Sequence, residues 1–217
     1  MNIELARFNM VEQQIRTWEV LDTEVLDLCA GMKRENYVPN SFQNLAFTDT
    51  EIEIGFGQHM MCPKVEARAL QSLKIEHTDN VLEIGTGSGF MAALLSSLAQ
   101  RVDTLEINPD LAASATERLA RDGFENCIVH ILDGVDGFAT NAPYNAIMIS
   151  GSCPERRKEL EKSLAVGGRL FAIIGVAPIM QAILVTRYAE DIWISEDLFE
   201  TLMTPLIGAE RKRKFQF

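Results

Sequence analysis

The chain has 217 residues, 47% of them hydrophobic and 24% charged, which supports one well-filled core and excludes a disordered or fibrous chain. Its net charge of −11 argues against a sequence-independent hold on nucleic acid, which needs clustered Lys and Arg, and gives no attraction to anionic lipid. Four scattered cysteines, Cys29, Cys62, Cys127 and Cys153, form no CxxC pair and have no His at metal-ligand spacing, so reduced thiols are expected, with neither a disulfide framework nor a metal site.

The first residues, MNIELARFNMVEQQ, contain early acids and no unbroken apolar stretch. Neither a signal peptide nor a membrane span is expected, and the expected location is the cytoplasm. Residues 2 to about 34 read as two helices: Ile3, Ala6 and Met10, then Val11, Gln14 and Ile15, follow a helical period, and Asp22 offers an N-cap to the second. A long irregular stretch follows, YVPNSFQNLAFTDTEIEIGFGQHM. A loop of that length inside a compact domain is functional or partly structured. It leads through Gly55 and Gly57 into a helix started by Pro63.

From Asn80 the pattern becomes regular. The apolar runs VLEI, VDTLEI, CIVHIL and YNAIMIS mark strands, and GFMAALLSSLA and PDLAASATERLARDG mark helices between the first three. Fully apolar strands separated by helices predict a parallel sheet covered on both faces. The runs GGRLFAIIG and MQAILVTRY are separated only by VAPI, too short for a crossover helix, so this pair is predicted antiparallel. The expected fold is α/β: a doubly wound, mostly parallel Rossmann-like sheet with one antiparallel strand towards an edge and an N-terminal helical cap. Residues 1–217 are expected to form one domain, with 1–79 as cap and substrate loop and 80–217 as the ligand-binding core.

In open sheets of this kind ligands sit at the carboxyl ends of the strands. The first such end reads VLEIGTGSGF, where Gly85, Gly87 and Gly89 make a GxGxG turn that lets the backbone approach a ligand. Phe90 stands where a dinucleotide fingerprint would carry its third glycine, which disfavours a nicotinamide-dependent oxidoreductase. Glu106 closes the second strand, placed to accept both hydroxyls of a ribose, and Asp133 follows the third, placed to accept from an adenine amino group.

This combination resembles the class I S-adenosylmethionine-dependent methyltransferases. With MVEQQI, RENYVP, the IGFGQ loop, LDG and LAVGGRL added, the chain from about Met10 to about Ala209 resembles the protein-L-isoaspartate O-methyltransferase family. The resemblance implies S-adenosylmethionine as cofactor and S-adenosylhomocysteine as product. It implies a cofactor site drawn from Glu83, Gly85, Thr86, Gly87, Ser88, Gly89, Glu106, Ile107, Asp133 and Gly134. The implied acceptor is an isoaspartyl carboxylate in a damaged peptide or protein, met by Gly57, Gln58, His59, Met61, Cys62 and Lys64.

The family's substrate loop reads Gly-Gln-Thr-Ile-Ser-x-Pro-His, whereas this chain has Gly57, Gln58, His59, Met60, Met61, Cys62, Pro63 and Lys64. The position of the family Ser is therefore Met61, which donates no hydrogen bond. Ser150, Gly151 and Ser152 replace a Thr-Ala-Ala, and Ile207 replaces a Thr. His59 either orients an acceptor carboxylate or acts as a base; Met60 and Met61 either line an apolar pocket or pack the loop. Two alternatives stay open beside isoaspartyl methylation: the same chemistry on a different acceptor, or cofactor binding without transfer. The basic run Arg211 to Lys214 is either a solvated tail or a cover over the ligand cleft.

Overall fold

The computed structural model of the chain describes residues 2–209, so the basic run Arg211 to Lys214 lies outside the described residues. The N-terminal cap begins with α1 (Ile3–Met10), where the Asn2 side chain accepts from the Leu5 N–H. It continues through a π-turn at Val11–Ile15 and a 3-10 turn at Arg16–Trp18, and ends where Glu19 takes a left-handed φ of 62°. Helix α2 (Thr23–Gly31) starts on Asp22, whose carboxylate accepts the Glu24 N–H at 3.0 Å, as its sequence position predicts. Two helices were expected for this region; the structure keeps both and adds the tight turns that end the first.

The stretch expected to be irregular is partly built. It holds 3-10 turns at Arg34–Asn36 and Asn40–Leu45 and a small antiparallel hairpin of β1 (Ile52–Gly55) and β2 (Gln58–Met60). The two connecting residues, Phe56 and Gly57, have φ of 56° and 69°, the left-handed pair that matches the twist of the flanking strands. Glycine suits this turn; Phe56 does not, which is why the sequence hides the hairpin. Helix α3 (Pro63–Leu73) follows, with Pro63 at its first position.

The main sheet is built from β3 (Asn80–Ile84), β4 (Arg101–Glu106), β5 (Cys127–Ile131), β6 (Tyr144–Cys153), β7 (Leu164–Val176), β8 (Ile179–Ala189) and β9 (Ile192–Glu200). Helices α4 (Phe90–Leu98), α5 (Pro109–Arg121) and α6 (Lys158–Lys162) lie between the parallel strands. The spatial order is β5-β4-β3-β6-β7-β8-β9, with β3 to β7 parallel and β8 antiparallel to β7. The pair expected from the short VAPI connection is present. Strand β9, which the sequence reading missed, pairs antiparallel with β8 and takes the edge. Its run IWISEDLFE is mostly exposed, so it offers no continuous apolar signal. Strand β6 continues through Ser150, Gly151 and Ser152 with a register shift, where the sequence had suggested a strand end.

Apolar side chains fill both faces of the sheet. The larger cluster joins the N-terminal cap, α3 and α4 through residues such as Tyr37, Leu70, Leu94 and Phe171; the smaller centres on Leu82, Ile147, Leu160 and Leu170. The chain winds from β3 outward to β5, then returns to β6 on the other side of β3. That reversal opens a crevice at the carboxyl ends of β3 and β6, the place for a ligand in such sheets.

Candidate active site

The glycine turn after β3 forms the floor of the crevice. Gly85 has φ of 92°, and a Cβ there would come within 2.9 Å of Leu206 Cδ2, so only glycine leaves the backbone bare at this point. The Gly87 N–H donates to Glu106 Oε2 at 2.8 Å, and the Asn108 N–H donates to Glu106 Oε1 at 2.9 Å. Both carboxylate oxygens are thus held by main chain, and each keeps acceptor capacity for a ligand hydroxyl. Gly89 begins α4 and lets it approach Ala115 of α5, a packing role away from the cleft.

Behind the turn, the buried Glu83 accepts from Thr104 Oγ1 at 2.6 Å and Ser150 Oγ at 2.7 Å, while Thr86 and Thr104 share a hydroxyl contact at 2.6 Å. Burial pushes the Glu83 carboxyl up to about 8. Glu66, also fully buried, is pushed up to about 7 by burial, against the opposing pull of Arg34. A cation near these two groups would favour their ionised forms.

Two small cavities adjoin here. One, of about 50 Å³, is lined by Gln58, His59, Met61, the 83–88 turn, Glu106 and Ser150. The other, of about 40 Å³, is lined by Gln58, Glu106, Ile107, Asp133, Gly134 and Val135. Gln58, Gly85, Glu106 and Leu206 belong to both, so they are parts of one groove with Leu206 at the division. The exposed Ile107 gives an apolar surface at the outer end; Asp133 accepts the Val135 N–H through Oδ1 at 3.0 Å, and Gly134 packs tightly against Leu105.

The segment after β9 covers this groove. The Ser152 N–H donates to the Thr204 carbonyl and the Leu206 N–H to the Ser152 carbonyl, both at 3.0 Å. Small-molecule sites commonly measure about 300–1,000 Å³, so both cavities are smaller than a nucleoside site, with Thr204, Leu206 and Ile207 in their walls. The donor set itself fits an adenosine-bearing cation: a glycine floor, a doubly anchored carboxylate, an outer acid beside an apolar side chain, and buried acids at the inner end.

The substrate-loop residues divide. Gln58, His59 and Met61 line the groove. His59 Nδ1 lies 3.0 Å from Thr204 Oγ1, and Glu51 Oε2 lies 3.3 Å from the same hydroxyl, whose one proton serves one of the two at a time. Burial raises the Glu51 carboxyl, while His59 and the Thr204 hydroxyl lower it. Gly57 serves the hairpin turn instead of lining the groove. Cys62 packs against the core, and burial first, then nearby acids, push its thiol up to about 11, so it is a protonated, inert thiol at neutral pH. Lys64 is taken by Asp49 at 2.6 Å and lies over the Trp18 ring at 4.3 Å. Gly57, Cys62 and Lys64 thus stand outside the lining of the groove, in a turn, against the core and in an ion pair respectively.

Sequence reasoning missed Arg34. It is buried, ion-paired to Glu66, and donates to the carbonyls of Ala46 at 2.9 Å and Met61 at 2.6 Å. It therefore fixes the loop that carries Met61, with Phe90 under its guanidinium at 4.8 Å. RENYVP contained the signal, an Arg followed by core residues, but its partner lies 32 positions away. Among the described residues no group of three or more His, Cys, Asp or Glu is placed to hold a metal ion.

A parallel sheet reversing at a glycine turn, with acids at two further strand ends, defines a class I S-adenosylmethionine-dependent methyltransferase fold. The family model described as protein-L-isoaspartate(D-aspartate) O-methyltransferase matches residues 6–211, and the chain belongs to that family. It is 36% identical over 210 residues to protein-L-isoaspartate O-methyltransferase 2 of Pelobacter propionicus, covering 96% of this chain and 93% of that protein. It is 41% identical over 169 residues to the protein-L-isoaspartate O-methyltransferase of Methanoculleus marisnigri, covering 78% and 77%. A solved protein-L-isoaspartate O-methyltransferase superposes with a TM-score of 0.80 at 20% identity, over 92% of this chain and 65% of that one. A Plasmodium falciparum structure with the same activity in its description, solved with S-adenosyl-L-homocysteine, superposes with a TM-score of 0.78 at 20% identity, over 92% and 97%. These superpositions speak to the fold.

Proposed function

We propose that the protein methylates the side-chain-derived α-carboxylate of isoaspartyl residues in damaged proteins, using S-adenosylmethionine. The observation that carries this reading is the single groove that joins Glu106, Ile107 and Asp133 at one end to His59 and Thr204 at the other. The family match across residues 6–211 supports it.

S-adenosylmethionine, when bound, would supply a sulfonium methyl for transfer to the carboxylate oxygen, leaving a thioether and a methyl ester. The acceptor carboxylate is already anionic at neutral pH, so no base is needed and the protein's tasks are alignment and exclusion of water. Glu106 would accept from the ribose hydroxyls and Asp133 from the adenine amino group, with Ile107 against the base. The main chain of Gly85 to Ser88 would admit the ligand closely, and Glu83 would stand toward its cationic end.

At the acceptor end Gln58 and His59 offer polar contacts, and Met61 shapes the wall. Thr204 contacts His59 at Nδ1; with that hydroxyl donating to Nδ1, Nε2 carries the ring proton and can donate to the acceptor carboxylate. Met61 in place of a hydroxyl residue favours one second reading, the same chemistry on a different acceptor. The cap and loop of residues 1–79 and the core of residues 80–217 act together in either case. The free cysteines support a reducing, cytoplasmic setting.

The test is transfer of labelled methyl to an isoaspartyl peptide and to its aspartyl counterpart. Labelling of the first alone is expected. Labelling of neither, by protein that binds S-adenosylhomocysteine, favours the different acceptor.

A further inference from the structure

Beside the groove lies a larger opening that the transfer step does not use. It measures about 690 Å³ and is walled mainly by Val176, Met180, Leu202 and Met203, with Glu51 as its carboxylate. Met203 and Thr204 line both this opening and the inner cavity. The two spaces therefore abut at Thr204, the residue that contacts His59.

Its walls come from the ends of β6 and β7, the start of β8 and the chain after β9. Thr201 donates its N–H to the Met180 carbonyl at 3.2 Å, tying the last of these to the sheet. Val176 and Leu202 remain 66% and 55% exposed. Large aliphatic side chains thus stand in water around an opening of ligand size that adjoins the inner cavity.

Resting on the isoaspartyl reading, we propose that this opening is the acceptor's neighbouring-residue subsite: it takes an apolar side chain adjacent to the methylated residue and disfavours an acidic one. Adjacency across Thr204 sets the spacing: a chain whose carboxylate meets His59 would have its next residue beside Met203 and Leu202. An aliphatic or aromatic side chain there covers Val176, Met180 and Leu202 and is covered by them, removing apolar area from water on both sides. An acidic side chain would instead meet Glu51 in a partly desolvated place, on a protein of net charge −11.

The experiment uses three isoaspartyl peptides that differ only in the adjacent residue, Leu, Gly or Asp. Binding is measured by fluorescence anisotropy with S-adenosylhomocysteine present, and methyl transfer is measured separately, for the native protein and for Leu202→Asp. The Leu peptide should bind about tenfold more tightly than the Gly peptide, and the Asp peptide more weakly than either. Leu202→Asp should erase the Leu advantage, with S-adenosylhomocysteine affinity and melting temperature showing that the variant is folded; Val176→Asp serves if it is not. Equal binding of the three peptides, or a Leu advantage that survives both substitutions, overturns the subsite. A Leu preference in binding without any methyl transfer keeps the subsite and removes the isoaspartyl reading; transfer without preference does the reverse. Self-association abolished by Leu202→Asp would assign the opening to a second copy of the chain and also overturn the proposal.

Discussion

The two ends of the groove are held by different kinds of bond. Glu106, at the cofactor end, is fixed by the N–H groups of Gly87 and Asn108, 19 and 2 residues away in sequence. His59, at the acceptor end, is fixed by the side chain of Thr204, 145 residues away, which in turn reaches Glu51 across 153 residues. Main-chain donors need only the backbone turn that carries them, which at Gly87 is a left-handed position suited to glycine, whereas a side-chain relay depends on the chemistry of each member. The first arrangement rests on backbone geometry near in sequence; the second rests on three side chains that only the tertiary fold brings together.

Breaking the support of the acceptor loop should have the largest effect. Arg34→Met leaves Glu66 buried without its partner and removes donors to the Ala46 and Met61 carbonyls, so chemical denaturation should show a loss of about 3–5 kcal/mol. Combining it with Glu66→Leu should recover much of that loss, since no unpaired buried charge remains. The cofactor end should respond next. Glu106→Ala removes a charged acceptor, and calorimetry should show S-adenosylhomocysteine affinity falling by about 3 kcal/mol, roughly a hundredfold. Unchanged affinity in a folded variant would remove Glu106 from the site.

A smaller, pH-dependent effect sharpens the contrast. Burial raises Glu66 and Glu83 from the usual 4.5 to about 7 and about 8. The folded protein then binds more protons than the unfolded chain across that window, so stability is greatest near the acid side and falls as pH rises from about 4.5 through 8. Melting temperature against pH should show this decline, and Glu83→Gln should flatten it above pH 7. The smallest effect is expected from Met61→Ser. Restoring a hydroxyl should raise turnover on an isoaspartyl peptide a few-fold, offset in stability by lost packing, because Met61 is 3% exposed. No gain in a folded, cofactor-binding variant would favour a changed acceptor.

The same contrast explains what the sequence made legible. Gly85, Glu106 and Asp133 stand at strand ends that the apolar runs mark directly, so local pattern located them. The antiparallel β8 was legible because VAPI is too short for a crossover. Strand β9 was not, since an exposed edge strand lacks a continuous apolar run, and the β1–β2 hairpin was not, because Phe56 occupies a left-handed turn position that glycine or asparagine would have announced. Lys64 and Cys62 looked available because their partners, Asp49, Trp18 and the surrounding core, are brought to them only by tertiary packing. The roles of Arg34 and Thr204 were invisible for the same reason.

The most direct test of the divided site is His59→Ala, with the methyl transfer rate on an isoaspartyl peptide and the affinity for S-adenosylhomocysteine measured on the same preparation. The rate at subsaturating peptide should fall at least about tenfold, as expected when a positioned polar contact is lost, while the affinity stays within about twofold, less than 0.5 kcal/mol. A parallel fall in both, or an unchanged rate, would contradict the claim that the acceptor end is built separately on His59.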